Sequence, residues 1–374
     1  MQVTCLKENL SKGLSNISRA VATRATLPVT QNVLLESDNG QLKLTATNTE
    51  ISISTWIGAQ IDGEAKVTIP ARMLNDFINS LPEENVHMEF FTEPVGLKIK
   101  CGQFNANING ISAEEFPPIP SVDDSKSVSI PCNVLKSALE RVVFAAATDD
   151  SRPVLTGVNF ELDKSGFTIA AADGFRLAVE KVDFETEINE PVKVIIPAKT
   201  LIELERLLVD SSSNVELAIN ANGRSARFKL DNSEVVTSLV QGTFPDYDKL
   251  IPDEFSTKAE VGLSQIIQAT RAASIFARDG SGIIRLLISN HENGKLKIIS
   301  RAEEVGSNEN NIQADVQGED SKVAFNSRFL LDVLSVFNSE KIILETNTPS
   351  SPGVFKSIDN PGYTHVIMPM FVQW

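Results

Sequence analysis

The sequence predicts an α+β protein made of three tandem copies of one domain, and three observations predict it. VTIPARML at 67–74 returns as VIIPAKTL at 194–201 and as VAFNSRFL at 323–330. Pro70 and Pro197 lie 127 residues apart (197 − 70), and Pro197 and Asn326 lie 129 apart (326 − 197). LPVTQNVLLE at 27–36 returns as RPVLTGVNFE at 152–161, with Pro28 and Pro153 separated by 125 residues (153 − 28). EEFPPIP at 114–120 returns as GTFPDYDKLIP at 242–252, with Phe116 and Phe244 separated by 128 (244 − 116). A period of that length suits a whole domain and is far too long for a solenoid unit. The expected domains are 1–122, 127–252 and 256–374.

Each copy holds the same smaller unit twice: a short strand, a helix, then a run of strands. In the middle copy the two units open as VSIPCNVLKSALERV (128–142) and VIIPAKTLIELERLL (194–208). Both read as a strand, an Ile-Pro break, and apolar residues at helical spacing. Proline suits the first turn of a helix or the residue before it, where no donor is needed. The same reasoning predicts helices near 7–23, 71–81, 263–277 and 326–338. Alternating stretches predict strand pairs at 33–37 with 42–47, 86–91 with 97–101, 284–289 with 296–300, and 342–346 with 353–357. An Asp-Lys-Ser-Gly turn at 163–166 joins two further strands. Pro and acidic residues cluster at 117–126 and 252–258, which read as linkers. Two helices and about eight strands per copy, mostly antiparallel, complete the expectation.

With 374 residues, 42% of them hydrophobic, the chain can bury three cores. No run of 18 apolar residues exists and the first residues lack an apolar signal core, so a cytoplasmic protein is expected. Cys5, Cys101 and Cys132 are odd in number and lack CxxC spacing, which predicts buried reduced thiols. His87, His291 and His365 are far apart, so no metal or other cofactor is expected. Asp173 and the pair Asp149 and Asp150 have no partner histidine, phosphate loop or nucleophile elbow, so an enzyme is not expected.

The net charge of −15 would ordinarily argue against a nucleic-acid partner, but it is unevenly distributed. Over helical windows at 7–24, 71–81, 132–147, 198–209, 263–278 and 326–338 there are 12 cations and 6 anions, a balance of +6. Strands and loops then carry −21. Lys and Arg are also good formers of solvated helix faces. Coupled to a repeat that brings equivalent helices to one side, the bias points to a phosphate-facing surface. No zinc finger, RRM or helix-turn-helix motif is present, so contacts without sequence readout are expected.

Taken together, TLPVTQNVLL (26–35), VTIPARML, AADGFRLAV (171–179), the IIPAKTLIEL block, QGTFPDYDKLIP, FNSRFLLDVL (325–334) and YTHVIMPM (363–370) make the chain resemble the bacterial β sliding clamps, processivity subunits of replicative DNA polymerase. The likeness runs end to end in matching order. It implies three clamp domains, each with two helices on an inner face and antiparallel sheets outside, and a head-to-tail homodimer closed into a ring. Such a ring encircles duplex DNA and tethers a polymerase catalytic subunit, the clamp loader and other proteins bearing a clamp-binding motif. Sliding requires that no phosphate contact be strong, so a weakly basic lining suits it. The family's DNA-facing positions match Arg24, Arg72, Lys199, Arg206, Lys249 and Arg278, and a family glutamine position is Asp149.

The resemblance also implies an apolar cleft that docks a partner peptide. Matching positions are Arg152, Leu155, Ala172, Gly174, Phe175, Arg176, Leu177, Pro245, Leu250, Asn326, Phe329, Val366, Met368, Pro369 and Met370. On the residues alone, a C-terminus rich in Met and aromatic side chains suits an adaptable binding surface, and it equally suits a strand packed in the last sheet. Three departures from the family stand out: Phe175 where His is frequent, Pro153 and Val154 where aromatics are frequent, and four residues, 371–374, beyond Met-Pro-Met. For ring closure, Ile108 and Ile275 are candidate apolar contacts, with Glu303 and Glu304 facing Lys98 or Lys100. A scaffold that never meets DNA is the competing class, and the helix charge speaks against it.

Overall fold

The computed structural model describes the chain except residues 24–26, 124–126, 185, 187, 189, 190, 210–212, 221, 279, 280, 292, 293 and 303–305. Among the described residues six helices are each led by a strand that ends on the preceding residue: α1 Lys7–Ile17, α2 Ala71–Ser80, α3 Cys132–Val142, α4 Ala198–Leu207, α5 Leu263–Ala277 and α6 Ser327–Val336. Pro70, Pro131 and Pro197 end three of those strands, as the Ile-Pro breaks predict. Asn326 ends another and caps α6, its side-chain oxygen accepting from the Arg328 amide at 2.9 Å. The first helix stops at Ile17, short of the expected 23. A tighter turn follows at Ser18–Ala20, with the Ser18 hydroxyl donating to the Ser15 carbonyl at 2.9 Å.

The chain divides into two compact units, and the cut falls inside the middle repeat. One unit is Met1–Asn133 with Ile202–Leu239; the other is Val134–Leu201 with Val240–Trp374. The cause is that sheets run across repeat boundaries. In the first unit an eight-stranded sheet pairs Ser233–Ser238 of the middle repeat with Ile51–Gly58 of the first, Val235 opposite Ile53. A five-stranded sheet ending on Phe104–Asn109 completes this unit, and α1 packs on α2. In the second unit a twelve-stranded sheet pairs Arg176–Asp183 of the middle repeat with Tyr363–Ile367 of the last, Leu177 opposite Val366. Here α5 packs on α6.

Several strands, Ile51–Gly58, Phe104–Asn109 and Ser233–Ser238 among them, were not singled out in the sequence, and the longest of these is the least expected. Gly306–Gly318, thirteen residues of polar sequence, pairs through 306–313 with Lys295–Ala302 and through 314–318 with Thr257–Val261. Its alternation is visible only in its second half, where Ile312, Ala314 and Val316 are buried. The three cysteines are free and buried, and burial pushes the Cys5 thiol up to about 12. His365 is also fully buried, stacked on Phe144 at 5.6 Å; burial and then Arg176 push its pKa down to about 3. Among the described residues no helix is long and apolar enough to cross a membrane, and no cluster of ligating side chains could hold a metal.

Candidate functional site

The residues expected to line a cleft all belong to the second unit. Leu155, Ala172, Leu177 and Val366 share one buried cluster with Ala170, Val179, Phe244, Tyr247 and Val354. The loop that gives QGTFPDYDKLIP wraps this cluster: Phe244 and Tyr247 are its buried anchors, edge to face at 6.3 Å, leaving Pro245 and Leu250 exposed. Burial, with Glu161 and Asp248 nearby, pushes the Tyr247 phenol up to about 12, so its hydroxyl remains neutral.

The AADGFR motif is a turn held by its own acid. The Asp173 carboxylate accepts from the Phe175 and Arg176 amides at 2.9 and 3.0 Å and from Arg176 Nε at 3.0 Å. Gly174 has φ +91°, and a Cβ there would sit 2.5 Å from Arg152 Nη1. Arg152 packs across the glycine and donates to the Asp173 carbonyl at 2.7 Å. Phe175 is exposed and stacks on Phe329 at 6.2 Å. Arg176, whose side chain is 9% exposed, lies over the Phe144 and Phe329 rings at 5.3 and 4.7 Å and reaches Asp332 at 2.6 Å. Phe144 and Asp332 escaped the sequence reading, because nothing local marks a partner 156 positions away.

Strand Tyr363–Ile367 delivers the C-terminal residues to the same place. Val366 and Ile367 are buried in the sheet, and the Met368 amide donates to the Phe175 carbonyl at 2.8 Å, extending the ladder. Met368 is exposed, with Pro369 and Met370 half-buried. The tail beyond them turns to strands Ser321–Asn326 and Ile283–Ser289. The Met370 amide donates to the Ala324 carbonyl at 2.7 Å, Arg285 donates to the Gln373 carbonyl at 3.2 Å, and Lys322 lies 5.2 Å from the Trp374 ring. Phe371 is 89% exposed, so this residue does not fill an apolar cleft. The arrangement leaves an apolar floor ringed by exposed Phe175, Leu250 and Met368, with Arg152 and Arg176 as fixed donors.

The cations expected to face DNA are placed unequally. Arg24 lies outside the described residues. Arg72 is almost fully exposed, with Asp76 loosely placed at 3.9 Å. Lys199 and Arg278 are exposed. Arg206 donates to both Glu203 oxygens at 2.8 and 2.9 Å, and Lys249 pairs with Asp246 at 2.7 Å. Asp149 accepts hydrogen bonds from the Ser151 hydroxyl and amide, which hold its pKa below the usual carboxylate range. It therefore stays an anion where a glutamine would be neutral.

Three successive stretches, 1–120, 129–246 and 248–371, match the N-terminal, central and C-terminal domains of the DNA polymerase III beta subunit family. The chain belongs to this beta sliding clamp family. It is 30% identical to the beta sliding clamp of Synechocystis and 27% identical to that of Bacillus subtilis, with 99% of each chain covered. The solved sliding clamp from Bacillus subtilis superposes with a TM-score of 0.94 at 27% identity, and that from Pseudomonas aeruginosa with 0.92 at 29%, each over 100% of both chains. Three tandem clamp domains of helices and antiparallel sheets are thereby established.

The two apolar residues of this clamp chain expected at ring closure are placed differently. Ile108 is 4% exposed, buried within its own unit, so it is not free to meet another chain. Phe104, on the same edge strand, is 51% exposed, and Ile275 on α5 is 61% exposed. Lys98 pairs with Glu89 at 3.6 Å, and Glu303 and Glu304 lie outside the described residues.

Proposed function

We propose that the protein is a DNA sliding clamp: a head-to-tail homodimer, closed as a ring of six domains, that encircles duplex DNA without reading sequence. It tethers a replicative polymerase and exchanges it with the clamp loader and other peptide-bearing partners, without catalysing a reaction. The proposed domains are 1–122, 127–252 and 256–374, and the proposed location is the cytoplasm. The family match across all three domains carries this reading.

Ring closure is supported by a rule internal to the chain. At both repeat junctions the fourth strand of one repeat, Ile51–Gly58 or Arg176–Asp183, pairs with the last strand of the following repeat, Ser233–Ser238 or Tyr363–Ile367. Among the described residues the same two strands have no such partner in the first and last repeats: 306–313 of Gly306–Gly318, paired on one side, and Phe104–Asn109, which ends its sheet. Pairing them between two copies repeats the junction and covers two open edges.

The floor of Leu155, Ala172, Leu177 and Val366, with Phe175, Leu250, Phe329, Met368 and Met370 around it, is the proposed peptide cleft. Arg152 would hold the peptide backbone or a polar side chain, and Arg176, bound within the chain, would fix the wall formed by Phe175 and Phe329. Arg24, Arg72, Lys199, Arg206, Lys249 and Arg278 are the proposed phosphate-facing cations. The test is topological. Protein loaded onto nicked circular duplex is expected to dissociate when the circle is linearised, and equal retention on both forms would refute encirclement.

A further inference from the structure

The second helix of every repeat carries the same charge pattern, a cation at its second residue and a carboxylate four residues on. The pairs are Arg72 and Asp76 in α2, Lys199 and Glu203 in α4, and Arg328 and Asp332 in α6. Residues at this spacing share a helix face, so each carboxylate is placed to neutralise its cation. In α2 that pairing is loose, 3.9 Å between exposed groups. In α4 and α6 another arginine takes the carboxylate instead. Arg206 binds both Glu203 oxygens, and Arg176 reaches Asp332 at 2.6 Å. Arg176 is immobilised for this by Asp173, by the Phe144 carbonyl at 2.9 Å and by two aromatic rings. Arg328 is left exposed, and among the described residues its guanidinium forms no ion pair.

We propose that Arg328 is a further phosphate-contacting cation, the third of an equivalent set with Arg72 and Lys199, and that Arg176 keeps it available by holding Asp332. Arg176 thus joins the two sites, bordering the proposed peptide cleft while setting the charge free on α6. The inference rests on the DNA-encircling reading, and the experiment separates their failures. A fluorescent duplex is titrated with wild type, R72A, K199A, R328A and a strand control, K229A, over a series of NaCl concentrations. Removing one cation from the phosphates lowers the slope of log affinity against log salt by about one. R72A, K199A and R328A are each expected to lose affinity several-fold at low salt with that slope change, and K229A to match wild type.

If R72A and K199A weaken binding and R328A does not, the inference fails alone. If none of the three has an effect, the helices are not the DNA face and this inference falls together with the assignment of the phosphate-facing cations, while encirclement is judged separately by retention on circular against linearised duplex. For the positioning role, R176M keeps bulk over the rings and frees Asp332. It is expected to weaken DNA binding as R328A does, and D332N in that background to restore it. A merely structural loss at Arg176 would not be reversed by D332N, and that result would overturn the coupling.

Discussion

Replacing Arg141 by alanine is expected to loosen the join between the middle and last repeats. Arg141 donates to Glu180 through Nε at 3.0 Å and Nη2 at 2.7 Å, and Asn360 donates to the same carboxylate at 2.9 Å. Glu180 is 2% exposed. Arg141→Ala leaves that carboxylate buried with one neutral donor, a defect that costs about 3–5 kcal/mol. The Arg141 side chain is 23% exposed, so water can enter the vacated space and the lower end, about 3 kcal/mol, applies. Glu180→Gln keeps an acceptor and leaves only a partly solvated guanidinium, at about 1–2 kcal/mol. The readout is amide hydrogen exchange in Arg176–Asp183 and Tyr363–Ile367, the two strands tied together here. Arg141→Ala should lower protection there by about two powers of ten, since 1.4 kcal/mol is tenfold, and Glu180→Gln by about one. Peptide affinity should fall with it, because these strands carry Arg176, Leu177 and Val366. Equal effects of the two variants, or a loss under tenfold for Arg141→Ala, would refute the reasoning.

His365 makes stability pH-dependent. Its folded pKa, about 3, lies below the ordinary 6.5, so the unfolded chain takes the proton first and stability falls as pH drops through 6.5 toward 3. Between pH 7.5 and 5.5 this one group removes about 1.4 kcal/mol, and in urea titrations His365→Phe should flatten that slope. Gly174→Ala adds a Cβ at φ +91° against Arg152, costing about 1–2 kcal/mol and displacing that guanidinium from the Asp173 carbonyl. Calorimetry with a short peptide of apolar and aromatic residues should show several-fold weaker binding while retention on circular DNA is unchanged. Phe104→Asp places a charge on the exposed edge proposed for ring closure and should convert the dimer to monomer in sedimentation without unfolding the chain. Ile108→Asp, by contrast, should damage the core of its own unit.

The periodic features of the chain were the legible ones. The three copies of the strand-Pro-helix string specified where helices begin, because proline ends a ladder and suits a first turn whatever surrounds it. Helix α5, a long apolar-striped segment, came out with the residues expected, 263–277. Legibility failed where structure depends on partners distant in the chain. Gly306–Gly318 is a strand because two neighbours supply its hydrogen bonds, while its own sequence, rich in Asn, has little strand preference. The compact units do not follow the repeats, since an edge strand of one copy completes the sheet of the next. At the site, an acid followed by glycine is a local turn signal, so Asp173 and Gly174 carry their own geometry. The salt bridge from Arg176 to Asp332 has no such signal, because it joins two repeats.

The charge argument changes in the same way. The window sum of +6 shrinks when the helices end where they do: nine cations and six carboxylates remain within α1 to α6. Arg19 falls in the turn after α1, Arg24 lies outside the described residues and Arg278 follows α5. Of the nine, Arg141 is committed to buried Glu180 and Arg206 to Glu203. What faces solvent is therefore a few separate cations, some with a carboxylate close by. For a protein that must hold duplex without stopping on it, that distribution matters more than the sum. Coulomb attraction between exposed groups is weak and short-ranged at physiological salt. Scattered single cations give many equivalent, shallow positions along the duplex, whereas a clustered patch would create one deep position and a pause.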